Sequence, residues 1–166
     1  VVIAVIFTES LTTSRVADNA ASLHWANATT GVSATARASA VQANMLIAGA
    51  DLGIVDDANA AAAVEEARTH FDSLQQWRDL NPNPELTVLV AALDSYVSAL
   101  DLVVVLLEAQ NTAGAAETMA GSLEQSWRSL EIELQRAQKN AVDQVAATEG
   151  LAGLLGFIAR VALSLV

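Results

Sequence analysis

The sequence predicts an all-α fold: an antiparallel up-down-up-down four-helix bundle whose long first and last helices extend into membrane segments. Three observations carry this. The 166 residues are 53% apolar, with Pro only at Pro82 and Pro84, and Ala dominates the apolar set. That is the make-up of long Ala/Leu helices, Ala being the best helix former and Pro the worst. The larger apolar residues recur at alternating spacings of three and four, as in the seam of a left-handed bundle. Helix breaks occur at three places only.

The first break is Gly49-Ala-Asp-Leu-Gly53 followed by Asp56-Asp57, a glycine stop and an acidic cap. The second is "NPNPE" at 81–85, where each Pro forces its predecessor out of helical ψ and Glu85 falls in the first turn of the next helix. The third is "NTAG" at 111–114. Helices are therefore expected over 1–49, 57–80, 85–110 and 115–166.

In helix 1 the seam is Val16, Ala20, Leu23, Asn27, Thr30, Ala34 and Val41, with polar groups inside it. A helix so weakly committed to one partner suits a dimer contact or a mobile element. Helix 2 carries Val64, Ala67, Phe71 and Leu74. Helix 3 has the cleanest pattern: Leu86, Leu89, Leu93, Tyr96, Leu100, Val103 and Leu107. Helix 4 carries Leu123, Trp127, Leu130, Leu134, Ala137, Ala141 and Val145. Short connections make neighbours antiparallel.

Helices 2 and 3 are each roughly 35–40 Å long at about 1.5 Å per residue, and helices 1 and 4 are nearly twice that. In an up-down bundle both long helices overshoot at the same end, and there the sequence reads "VVIAVIF" at 1–7 and "LAGLLGFIARVALSLV" at 151–166. Each run falls short of the about 20 residues that cross a bilayer. Both are read as stubs of membrane helices: 1–7 the end of a first span, 8–150 the bundle, 151–166 the start of a second. Arg160 sits awkwardly in that second run, since a charge within a span must snorkel or pair.

The net charge is −11, from 19 acidic and 8 basic residues. Nucleic acid is thereby excluded as a partner, because phosphate neutralisation needs a basic face. Few Lys and Arg suit an extracytoplasmic segment between two spans. With no Cys, disulfides and thiolate metal sites are ruled out.

The layout resembles the four-helix-bundle extracytoplasmic sensor domains of methyl-accepting chemotaxis receptors and of related sensor histidine kinases and diguanylate cyclases. The likeness lies in an apolar run leading into a long Ser/Thr/Ala-rich helix 1. It continues in "LVAALDSYVSALDLVVVLLEAQNTAGAAETM" at 89–119, where an Ala-Leu-x-x-Tyr helix meets a small-residue loop before a long last helix. These domains share no catalytic motif, so no binding residue carries over. The resemblance implies a bacterial cell-membrane receptor and a homodimer. A ligand or periplasmic partner protein would shift helix 4 against helix 1.

Enzyme chemistry is not expected, and neither is a cofactor. His24 has no Glu three residues before it, and His70 has Glu66 at i−4, so the Glu-x-x-His pairs of a di-iron bundle are missing. No nucleophile turn or phosphate loop is present. The arginines offer a binding site instead. Counted down from the loops away from the apolar ends, Arg37, Arg68 and Arg128 fall at one depth, bracketed by Tyr96 and Asp101. A guanidinium layer there, with Tyr96, suits a small carboxylate or phosphate ligand. The alternative is ordinary surface pairing: Arg128 with Glu124 and Glu131, Arg68 with Glu65 and Asp72. Arg37 has no acid within a turn of its own helix. Trp127 is expected in the core or at a dimer interface, Trp77 at a core edge, and Trp25 at a dimer or ligand contact. A structural subunit of an extracellular filament, its two apolar ends packed together, is the competing reading.

Overall fold

In the computed structural model the backbone is described for residues 2–83 and 86–163, and the side chains for 18, 20–83, 86–144, 146 and 147. Every regular element among these is helical: α1 (Val2–Asp51), α2 (Asp57–Leu80), α3 (Thr87–Glu108), α4 (Thr112–Thr118), a π-helical turn (Met119–Leu123) and α5 (Glu124–Leu163). The residues where α4, the π turn and α5 meet keep helical dihedrals, so these three run on as one stretch and the helices number four. Pro84 and Glu85, and the side chains of both terminal apolar runs with Arg160, lie outside the described residues.

The chain ends of the helices follow from local chemistry. α1 stops in a Schellman motif: Gly53 at φ +68° donates to the Ala50 carbonyl at 2.8 Å, and Ile54 donates to that of Gly49 at 2.9 Å. Gly49 is also fixed by space, since a Cβ there would meet Val55 at 2.7 Å. Asp56 then caps α2 by accepting from the Ala58 N–H. α3 ends in the same motif, with Gln110 at φ 54° where glycine is usual; Gln110 and Asn111 donate to the Leu107 and Leu106 carbonyls. The sequence placed the break over 111–114, with Gly114 as its last residue, and the expected end of the third helix at 110 agrees with this stop. Gly114 itself lies in the first turn of α4, where its N–H is capped by the Asn111 side chain at 3.0 Å. The fourth helical stretch accordingly starts at Thr112, earlier than expected.

The chain forms two compact units, 28–134 and 1–27 with 135–166. In the larger, α2 packs on α3, and α3 on α4 and the π turn. α3 supplies the heart of the core with Leu89, Leu93, Tyr96, Val97, Leu100, Val103, Val104 and Leu107. From α2 come Ala60, Ala63, Ala67, Phe71 and Leu74, and from the last stretch Ala115, Leu123, Leu130 and Leu134. The expected seams of helices 2 to 4 thus lie largely inside, although Val64, Leu86, Trp127 and Ala137 are only half-buried and the Val145 side chain lies outside the described residues.

Helix 1 corrects its expected seam. The inward face is Thr29, Ser33, Ala36, Ala40, Ala43 and Ile47. Of the expected seam Ala20, Asn27, Ala34 and Val41 are exposed, Leu23 and Thr30 are half-buried, and the Val16 side chain lies outside the described residues. The inner stripe keeps the spacing of four and three but is built of Ala and hydroxyl residues. Their small contrast with the rest of the helix hides it behind the larger Val41. The face reaches its neighbours by hydrogen bonds as well: Trp77 Nε1 donates to Thr29 Oγ1 at 3.0 Å, and the Tyr96 hydroxyl to the Ser33 carbonyl at 2.9 Å.

The π turn has a packing cause. Ala115, Met119, Leu123 and Trp127 are spaced by four throughout, and each such step drifts about 40° around an α-helix. A wider turn takes up that drift and leaves Ala115 and Leu123 both buried.

In the smaller unit the starting part of α1 and the closing part of α5 are joined by Gln138 Nε2 donating to Asn27 Oδ1 at 3.0 Å. Trp25, Ala26 and Ala141 are buried there, and His24 is exposed.

Candidate functional site

Of the four residues expected to bind a ligand, three are linked and one stands on other partners. Arg37, on α1, reaches the Glu124 Oε2 of α5, which answers why its own helix offers it no acid. Arg128 takes the other oxygen of the same carboxylate, Nε to Oε1 at 2.9 Å. The Arg37 guanidinium also lies over the Trp127 ring, 5.1 Å from its centroid. Trp127 in turn meets Tyr96 at 5.5 Å between centroids, tilted by 56°. Arg37, Glu124, Arg128, Trp127 and Tyr96 therefore form one connected set.

Tyr96 is fully buried. Burial pushes its phenol far above the ordinary value, against an opposing pull from the Arg37 charge. It is a neutral hydrogen-bond donor, already committed to Ser33. Arg37 and Glu124 are each about a third exposed, and Arg128 is largely exposed. A small anion approaching from solvent would meet two guanidinium groups held by a single acid.

Arg68 belongs to a different set. It grips Glu108 of α3 with two parallel bonds of 2.7 Å and lies 3.7 Å from Asp101, with its guanidinium over Phe71. Its bond from Arg68 holds the Glu108 carboxyl below the usual carboxylate range, and the same bond raises Arg68. The partners lie across on α3 rather than one turn along α2.

Beside Arg37, an open apolar groove of about 460 Å³ runs along α1, lined by Ala34, Ala38, Val41, Met45 and Trp127. Val41 is 40% and Met45 69% exposed. Ala34 and Val41 of the expected helix 1 seam thus do form a stripe, on the face turned away from the core. Among the described residues no group of three or more His, Cys, Asp or Glu is placed to hold a metal. His70 and Glu66 make an isolated pair at 3.7 Å.

Sequence reasoning missed the role of Glu124 between helices. The signal was Arg37 itself, a cation on a half-buried helix with no acid within a turn, whose partner had to come from elsewhere. Comparisons with protein-family models, with curated proteins and with solved structures found no match.

Proposed function

We propose that the chain is the extracytoplasmic sensor of a bacterial transmembrane signalling receptor, an antiparallel up-down-up-down bundle that acts as a homodimer and signals through its first and last helices. One observation carries the reading. The described residues of the two apolar runs, 2–7 and 151–163, belong to α1 and α5, and those helices share a unit in which Asn27 and Gln138 join them. Two paired helices with apolar outer ends suit a chain that crosses a membrane twice. The scarcity of Lys and Arg suits the extracytoplasmic side.

The bundle connectivity draws support from ion pairs. Arg68 with Glu108, and Arg78 with Asp94, match rising numbers on α2 to falling numbers on α3. Among the described residues α3 alone is long and apolar enough to cross a membrane. Its Asp94 and Asp101 face arginines of α2, so we assign it to the bundle core. The groove on α1 is the dimer surface in this reading, because its stripe is unclaimed by the protein's own core. A small organic acid would compete with Glu124 for Arg37 and Arg128.

The chain lacks Cys, so single cysteines report topology cleanly. In bacteria, the full-length protein carrying Ala58→Cys should remain in carbonate-washed membranes and react with an impermeant maleimide in intact cells. Val41→Cys should cross-link into dimers, and Glu117→Cys should not. Organic acids should raise the melting temperature of the parent but not of Arg37→Ala. Recovery in the soluble fraction, or labelling only after lysis, overturns the receptor reading. Large soluble assemblies would point instead to a structural subunit.

A further inference from the structure

The last helical stretch contains two apolar registers, and the π turn is where they meet. Upstream, Ala115 is buried and Met119 half-buried; downstream, Leu123, Leu130 and Leu134 are buried with Trp127 half-buried. Extending the downstream pattern backwards by threes and fours gives Ala120 and Ala116. The series 116, 120, 123, 127, 130, 134 is an unbroken seam in the sequence. Yet Ala116 and Ala120 are exposed.

We propose that this segment is a register switch with two helical forms. In the resident form the π turn spans Met119–Leu123 and presents Ala115 and Met119 to the core. In the other form the turn closes to α, residues 115–119 rotate by about one residue's step, about 100°, and Ala116 and Ala120 take their places. The surplus residue passes into the Asn111–Gly114 end.

The exchange asks little of the core at the first site, where Ala replaces Ala. At the second, Met119 gives way to Ala120, and the cap from Asn111 to the Gly114 N–H is given up. Those two differences make the π form the resident one. Gly121 lies mid-turn, exposed, with open space where a Cβ would stand. Its place is therefore not dictated by packing, and it lowers the resistance of the backbone to changing helix type. The Thr118 hydroxyl, bonded to the Gly114 carbonyl at 2.8 Å, supplies a local donor while main-chain bonds change partners. π turns within α-helices recur at functional positions. Here the consequence is a surface that alternates between Met119 and the Ala116–Ala120 pair while the α5 seam from Leu123 stays seated. A partner touching that surface in one form selects it. The switch is independent of what the molecule senses and of whether a membrane holds it.

The experiment exchanges the two side chains. Ala115→Cys and Ala116→Cys are made singly in the full chain and in a Met119→Ala/Ala120→Leu background, and thiol alkylation rates are compared. In the otherwise unaltered chain, the thiol of Ala116→Cys should react at least tenfold faster than that of Ala115→Cys; in the exchanged background the order should reverse. Unchanged order in a folded exchanged background overturns the switch. Deletion of Gly121 is the second arm. It should leave helical content and melting close to the parent, whereas deletion of Ser129, outside the turn, should unfold the chain. Equal damage from both deletions also overturns it.

Discussion

The hydroxyl of Tyr96 donates to the main-chain carbonyl of Ser33 at 2.9 Å, and both residues are fully buried. The bond joins α3 to α1 through an acceptor that no side-chain substitution removes. The Ser33 hydroxyl itself has no partner among the described residues.

Tyr96→Phe should therefore destabilise the chain by about 1 kcal/mol, the net worth of a buried neutral hydrogen bond. Ser33→Ala should be neutral or stabilising by up to about 1 kcal/mol, because it removes an unsatisfied hydroxyl and improves helix propensity. Urea denaturation of both variants checks the pair, and a loss in Ser33→Ala equal to that in Tyr96→Phe would contradict it.

Tyr96 is the only tyrosine, so tyrosinate absorbance reports on it alone. Burial raises its pKa in the folded state. Above about pH 10, where an exposed phenol ionises, the native chain holds a proton that the unfolded chain releases. Stability is then full below about pH 10 and declines as pH rises beyond it. An alkaline titration should show absorbance rising together with unfolding; a phenol that ionises near pH 10 in the folded chain would refute its burial.

Gln110 and Gly53 occupy equivalent left-handed positions in two Schellman motifs. Gln110→Gly should stabilise by about 1 kcal/mol and Gly53→Ala should destabilise by a similar amount, since a side chain is disfavoured at positive φ. Opposite shifts in thermal midpoint are the expected result.

Glu108 is held below the usual carboxylate range by Arg68. Its contribution is present above the unfolded value of about 4.3 and is lost as pH falls through the lower folded value. The pair is partly exposed, so the effect is at most about 0.5 kcal/mol. Arg68→Gln should flatten the acid limb of the stability profile by that amount, and added salt should do the same.

The helix count and the α3 seam were legible because Leu and Val at strict spacing contrast with their neighbours. Leu89 through Leu107 needed nothing else. The breaks at Gly53 and Asn81 were legible from backbone chemistry. The end of the third helix at 110 was legible too, but the left-handed turn at Gln110 was not, because glutamine carries no signal for positive φ. On α1 the pattern was present but misread: hydrophobic size pointed to Ala34 and Val41, whereas the core accepts Thr29, Ser33 and Ala36. The Arg37–Glu124 link joins positions 87 apart, so only the missing acid on α1 hinted at it. The π turn left a trace in the run of four-residue spacings from Ala115 to Trp127.

The alanine face on α1 and α2 has a consequence for how this chain can vary. Where Leu93, Leu100 or Leu130 stands, substitution mostly removes atoms, and the damage is a void. At Ala36, Ala40, Ala63 and Ala67, which are all buried, nearly every replacement adds atoms, and the damage is crowding. Drift is therefore confined in opposite directions on the two sides of one core: α3 resists becoming smaller, and α1 and α2 resist becoming larger. A compensating pair, one residue grown on α1 and one reduced on α3, is the path by which this interior could change while staying filled.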